Sequence, residues 1–185
     1  MPDKKPPRPK RLPPTASNPH LLVDGTDQVL RRMTLSFAVL GWQLSEIRGK
    51  FGQLVGVSPF QYVALQAIAR VESDEPWTVA LLARHFHVTT AYVSMELRPL
   101  LAKGLIDALA NPDDRRSKFL SVSATGEQAL LDMLPVQQKV NDLLYAQFDA
   151  AGLKRQQSTI ERMIADAEQA AAYLDAVLSS RSFKS

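Results

Sequence analysis

Residues 78–126 read TVALLARHFHVTTAYVSMELRPLLAKGLIDALANPDDRRSKFLSVSATG, and the fold is decided here. Val79, Leu82, Ala83 and Phe86 recur at helical spacing behind Thr78, which can cap a short helix. A tight turn at Val88 leads to Thr89, whose hydroxyl can accept from an otherwise unpartnered first-turn amide of a second helix. On that helix Val93, Leu97, Leu100 and Leu101 share one face, while Ala91, Ser94, Met95 and Arg98 point broadly the other way. Two short helices joined by such a turn predict a helix-turn-helix, whose second helix fits a DNA major groove. Pro99 lies inside that helix and predicts a kink or early end, and Gly104 supplies the left-handed stop.

Leu105 to Leu109 and Lys118 to Ser123 then read as two strands around the charged turn Asn111-Pro112-Asp113-Asp114-Arg115-Arg116-Ser117. This is a hairpin wing with two adjacent arginines at its tip, placed to enter the neighbouring minor groove. Asp113 and Asp114 are expected to hold those arginines until DNA competes for them. The expected DNA-binding set is Thr89, Thr90, Ala91, Tyr92, Ser94, Met95 and Arg98 on the second helix, with Arg115, Arg116 and Lys118 on the wing. Tyr92 is open to two placements, against a phosphate or beneath the wing.

Asn111-Pro112-Asp113-Asp114-Arg115-Arg116, the following strand, and Val122-Ser123-Ala124-Thr125-Gly126 resemble the MarR (multiple antibiotic resistance regulator) family. Its wing motif runs Asp-x-x-Asp-Arg-Arg, then a strand, then Leu-Thr-x-x-Gly. The sequence departs at Met95, a position often basic in such recognition helices, and at Pro99. The resemblance implies a mainly α fold with a small β wing: a winged helix-turn-helix flanked by long N- and C-terminal dimerisation helices. It implies a regulator of transcription, a repressor released from a palindromic operator by a small effector such as an aromatic acid. It also implies an effector crevice between the dimer helices and the winged domain, where Trp42, Ser45, Arg48 and Tyr62 are the candidates. Arg48 is the natural carboxylate partner.

The flanks fit that expectation. From Leu30 through Met33, Phe37, Leu40, Leu44, Ile47 and Phe51 to Leu54, apolar residues alternate spacings of three and four, a heptad stripe on one long helix ended by Gly56. Ala38, Gly41, Ser45 and Gly52 form a line of small residues beside it, open to close approach by another helix. Ser58-Pro59-Phe60-Gln61 opens a second helix, running through Val71, with capping-box spacing and proline at its first position. After the wing, Ser123 caps a helix bent by Pro135, a break follows at residues 149–152, and Leu153, Ile160, Ile164, Leu174 and Leu178 stripe a last helix. Such stripes carry more apolar surface than one winged helix can cover, which argues for a homodimer.

Residues 1–20 hold seven of the twelve prolines and a net charge of +4, so the rest of the chain is near neutral at −1. Such a segment is expected to be disordered, either a basic arm on DNA phosphates or a solubilising leader. The expected division is a tail over 1–20 and one unit over 21–185, with a DNA-binding lobe at 58–126 and a dimerisation lobe at 21–57 and 127–185. Within 78–118, six basic residues face four acidic ones, which gathers positive charge where phosphate binding needs it.

Other classes find little support. The chain has no cysteine, which excludes a disulfide, a thiolate metal site or a thiol redox sensor. His85 and His87, two apart on a helix, diverge too far to chelate one ion, so no metal is expected. The glycines of Gly49-Lys50-Phe51-Gly52 lack the ending of a phosphate loop, and no catalytic spacing is present, so neither cofactor nor enzymatic activity is expected. No apolar run approaches the roughly 18 residues of a membrane span, and prolines follow the basic N-terminus where a signal peptide needs an apolar stretch, so a cytoplasmic location is expected. The expected partners are double-stranded DNA, a second copy of the chain and a small effector. The alternative is a winged-helix module that uses the same surface for an acidic protein partner.

Overall fold

The computed structural model describes residues 12–70, 75–112, 114 and 116–182. It is mainly helical with one two-stranded antiparallel sheet, and it separates into two compact units, Met1–Met133 and Leu134–Ser185. Residues 1–11, and with them most of the basic tail, lie outside the described residues.

The first unit begins with a clasp. Asn18 caps a 3-10 turn at Pro19–Leu21, Val23 and Thr26 form a bridge around Asp24-Gly25, and Thr15 donates from its N–H (2.7 Å) and hydroxyl (2.8 Å) to the buried Asp27 carboxylate. The described end of the expected tail is thus tied to the start of the first helix. That helix, α1 (Gln28–Val55), is the long heptad element, and Gly56 ends it in the left-handed region at φ 72°. The line of small residues divides in two. Gly41 has open space around it, whereas a Cβ on Gly52 would stand 2.6 Å from the Val57 carbonyl oxygen, because the chain folds back there to start α2.

In α2 (Pro59–Arg70) the capping box closes in both directions: Gln61 N–H donates to Ser58 Oγ (3.2 Å) and Ser58 N–H to Gln61 Oε1 (3.0 Å). Val71, where the sequence continues this helix, lies outside the described residues. Thr78 caps α3 (Val79–His85) through Leu81 N–H, and Thr89 caps α4 (Thr90–Ala102) through Tyr92 N–H. Between them His87 takes φ 53° to turn the chain. Pro99 does not shorten α4, which runs to Ala102 and continues its bonding as Lys103 N–H donates to the Pro99 carbonyl (3.0 Å). Proline forfeits only its own donor, and one missing bond in the last turn is tolerated.

The wing pairs β1 (Ile106–Ala110) with β2 (Lys118–Val122), in the register Ile106 to Val122 and Ala110 to Lys118. Leu120 N–H also donates to the Trp77 carbonyl (2.7 Å), tying the hairpin to the residue before Thr78. The core of this unit is formed by Leu65, Leu82, Val93, Leu97, Leu100 and Ile106, all fully buried. Leu101, expected on the core face of α4, is instead 40% exposed, since it sits a hundred degrees round from Leu100.

Helix α5 (Ala124–Leu144) starts on Ser123, whose Oγ accepts from Gly126 N–H (3.0 Å). Gly126 is required: a Cβ there would collide with the Leu105 carbonyl oxygen and stand 2.9 Å from Val122 Cγ2. The second unit holds the end of α5 and α6 (Ala150–Ser182). The break between the two helices lies at residues 145–149, ahead of the expected 149–152. Asp149 caps α6 by accepting from Gly152 N–H (2.6 Å), so the glycine falls inside the first turn. Among the described residues no helix is long and apolar enough to cross a membrane.

Candidate nucleic-acid interface

Helix α4 is held by its buried side and presents the other. Val93, Leu97 and Leu100 lock it into the core, which leaves Thr89, Thr90, Ala91, Tyr92, Met95 and Arg98 exposed and Ser94 half-buried. Thr89 has two uses here, because the hydroxyl that caps the helix also fixes its N-terminal turn, where the exposed residues begin. The ring of Tyr92 meets Phe60 of α2 edge to face at 4.9 Å, and Phe60 meets Phe86 in the same way at 5.4 Å.

At the wing, Asp114 Oδ1 accepts from the backbone N–H of Arg116 (2.9 Å), and Ser117 N–H donates to the Asp114 carbonyl (3.0 Å). The carboxylate therefore shapes the turn through the backbone. Among the described residues Asp114 makes no ion pair with the Arg116 guanidinium. Arg116 and Lys118 are exposed; Arg115 and Asp113 lie outside the described residues. A groove of about 480 Å³ runs between α4 and the wing, with Thr90, Ser94, Leu101, Arg116, Lys118 and Leu120 on its walls. The structure thus brings Thr90 and Ser94 of α4 together with Arg116 and Lys118 of the wing in one groove, which Thr89, Ala91, Tyr92, Met95 and Arg98 do not line.

A second cavity, of about 490 Å³, opens on the other side of α4 within the same unit. Ser45 and Arg48 of α1 line it with Phe60, Phe86, Tyr92 and Glu96. The other two ligand candidates are elsewhere. Trp42 is 72% exposed and Tyr62 is buried, stacked on Phe51 at 5.2 Å. Burial pushes the Tyr62 hydroxyl above its usual pKa of 10.0, against the opposing effect of the bond from Gln66 Nε2 (3.2 Å). Glu96 escaped sequence reading, though it organises the site: its Oε2 accepts from Ser58 Oγ (2.9 Å) and Gln61 Nε2 (3.1 Å), joining the α2 capping box to α4. The capping box was visible, but a partner 35 and 38 positions away leaves no local signal.

The MarR family model matches residues 55–117, from the end of α1 to the wing tip. The stretch that carries the helix-turn-helix and the wing is thus similar to the MarR family. An uncharacterized protein of Mycobacterium tuberculosis is 28% identical over 123 residues, covering 66% of this chain and 86% of its own length. In fold, the chain resembles the transcriptional regulator BldR from Sulfolobus solfataricus, with a TM-score of 0.60 at 21% identity over 76% of this chain and 96% of that one. It also resembles a putative MarR family transcriptional regulator from Listeria monocytogenes complexed with 26mer DNA, with a TM-score of 0.64 at 15% identity over 77% and 93%. The chain therefore shares the winged-helix fold of these solved structures.

Proposed function

We propose that the chain is a homodimeric, sequence-specific DNA-binding regulator of transcription, acting in the cytoplasm as a repressor that a small aromatic acid releases from a palindromic operator. One observation carries the DNA reading. Thr90, Ala91, Met95 and Arg98 are exposed on α4 while Val93, Leu97 and Leu100 of the same helix are core, and Thr90 shares a groove with the exposed Arg116 and Lys118 of the wing. Met95 and Arg98 fit base edges, and Arg116 and Lys118 fit phosphates. The Listeria protein of similar fold, complexed with 26mer DNA, supports DNA as the partner. Phe37, Leu40, Leu174 and Leu178, each over 40% exposed, support a second copy as the cover for α1 and α6. Ser45 and Arg48 in the second cavity support an effector carboxylate there.

A two-fold dimer presents two identical helices, so fragments selected from genomic DNA should share an inverted repeat with half-site centres about 10 bp apart. Bound fragments without such a repeat, or equal affinity for random DNA, would overturn the reading. Linkage requires an effector that weakens DNA binding to be weakened by DNA in the same factor, so Arg48→Ala should keep operator affinity and need far more effector for release.

A further inference from the structure

The second cavity holds a cation and an anion that do not meet. Among the described residues Arg48, on α1, makes no ion pair or hydrogen bond, and Glu96, on α4, pairs with no cation and is held by the neutral donors Ser58 and Gln61. Both bonds end on Glu96 Oε2, so Oε1 remains for another donor. Much of the remaining lining is aromatic and apolar: Phe60 and Phe86 with Tyr92 packed edge to face against Phe60, and Val63 and Val88. Glu96 is half-buried, so an occupant that covers it removes water from a carboxylate and must replace what water supplied. A simple aromatic acid cannot do so: its anionic end suits Arg48, but it leaves Glu96 covered and unpaired, with two like charges in one cavity.

We infer that this cavity takes an amphoteric aromatic molecule, with an anionic group for Arg48 and a cationic group for Glu96 on opposite ends of a flat body. The inference rests on the effector site proposed above and narrows its ligand class from aromatic acids to aromatic zwitterions. It also gives the ligand a lever. A molecule that bridges Arg48 and Glu96 ties α1 to α4, its cationic end on the Oε1 of the carboxylate whose Oε2 fixes α4 on α2.

Three matched probes test it on the full chain: 4-(aminomethyl)benzoate as the zwitterion, 4-methylbenzoate as the anion and 4-methylbenzylamine as the cation, with affinities from ligand-observed NMR. The zwitterion should bind about ten-fold more tightly than either, the effect of one added charge-assisted contact. Glu96→Gln keeps an acceptor for Ser58 and Gln61, and should abolish the preference for zwitterion over anion. Arg48→Gln should abolish the preference for zwitterion over cation. The wild-type ranking needs no variant and stands even where Glu96→Gln fails to fold. Anion binding equal to or tighter than zwitterion binding would overturn the inference while leaving an aromatic-acid effector at Arg48 intact. Equal binding of all three, binding of none, or a zwitterion preference unchanged in both folded variants would overturn it together with the cavity as a charged site.

Discussion

Leu65, Leu82 and Leu100 in the winged helix are completely buried, while Leu174 and Leu178 in α6 are 58% and 60% exposed. All five sit on helices at comparable apolar spacing. In the winged helix each short element is started by a side-chain cap, at Ser58, Thr78, Thr89 and Ser123, and stopped or turned within a few residues, at His87 and Gly104. Frequent reversals let the chain cover its own apolar faces. Helix α6 runs 33 residues without a reversal, and its stripe at Leu153, Ile160, Ile164, Leu174 and Leu178 stays 45–60% exposed. Periodicity marks a face that must be covered; caps and turns determine whether the same chain covers it.

The largest expected effect breaks that contrast at the long helices. If a second copy covers them, Phe37→Lys or Leu174→Lys should raise the dimer dissociation constant by about 100-fold or more, since burying such a side chain is worth roughly 1.5–3 kcal/mol and a two-fold interface counts it twice. Sedimentation across a concentration series measures this directly. A wild-type chain that is a folded monomer at micromolar concentration would show instead that these stripes need no cover.

On the winged-helix side, Gly126→Ala should cost about 3 kcal/mol in urea unfolding, because the added carbon meets backbone at Leu105 that cannot move without displacing β1. A loss under about 0.5 kcal/mol would mean that the start of α5 is as loosely held as α6.

These two sites also show what the sequence makes legible. The caps at Ser58, Thr78, Thr89 and Ser123 and the Gly56 and Gly104 stops could be read from local chemistry, since each cap's partner lies three positions away, and the wing strands could be read to within a residue from the charged turn they flank. The two cavities could not. Trp42 and Tyr62 sit on helices next to Ser45 and Arg48 in composition and spacing, yet one is turned to solvent and the other stacks on Phe51, because helix rotation is set by packing across distant segments. Glu96 and the Phe60, Phe86 and Tyr92 cluster arise from the same long-range packing. The break before α6 was misplaced for a local reason: glycine reads as a breaker, but an aspartate cap three residues earlier governs.

A smaller effect separates the two components of the interface. Arg98→Ala should cost roughly 1–3 kcal/mol at cognate DNA and little at random DNA if it reads a base, whereas Arg116→Ala should weaken both and lower the log–log salt slope by about 0.9. Binding titrations at four or five salt concentrations on both DNAs distinguish these outcomes. Equal losses for Arg98→Ala on the two DNAs would move it to the phosphate backbone, leaving α4 without its strongest base-reading candidate.

The smallest expected effect lies where the clasp meets α1, between a locally determined segment and a helix that awaits its cover. The Thr15 N–H, then the Thr15 hydroxyl, hold the Asp27 carboxyl below its usual 3.8, outweighing the opposite pull of burial, with Arg31 adding to the lowering. A carboxyl depressed in the folded state contributes stability that is fully present above the unfolded value and is lost as pH falls through the folded one. Thr15→Val removes the hydroxyl donor and keeps the backbone one, so the Asp27 carboxyl should move up toward 3.8 in a carbon-detected NMR titration. The stability difference between wild type and variant should be constant above about pH 5 and shrink as the pH falls below 3.8. An Asp27 titration unmoved by the substitution would show that the clasp does not hold in solution. The described end of the basic tail would then be as free of the fold as its composition suggests, and Asp27 would have only Arg31, one turn along α1, as its partner.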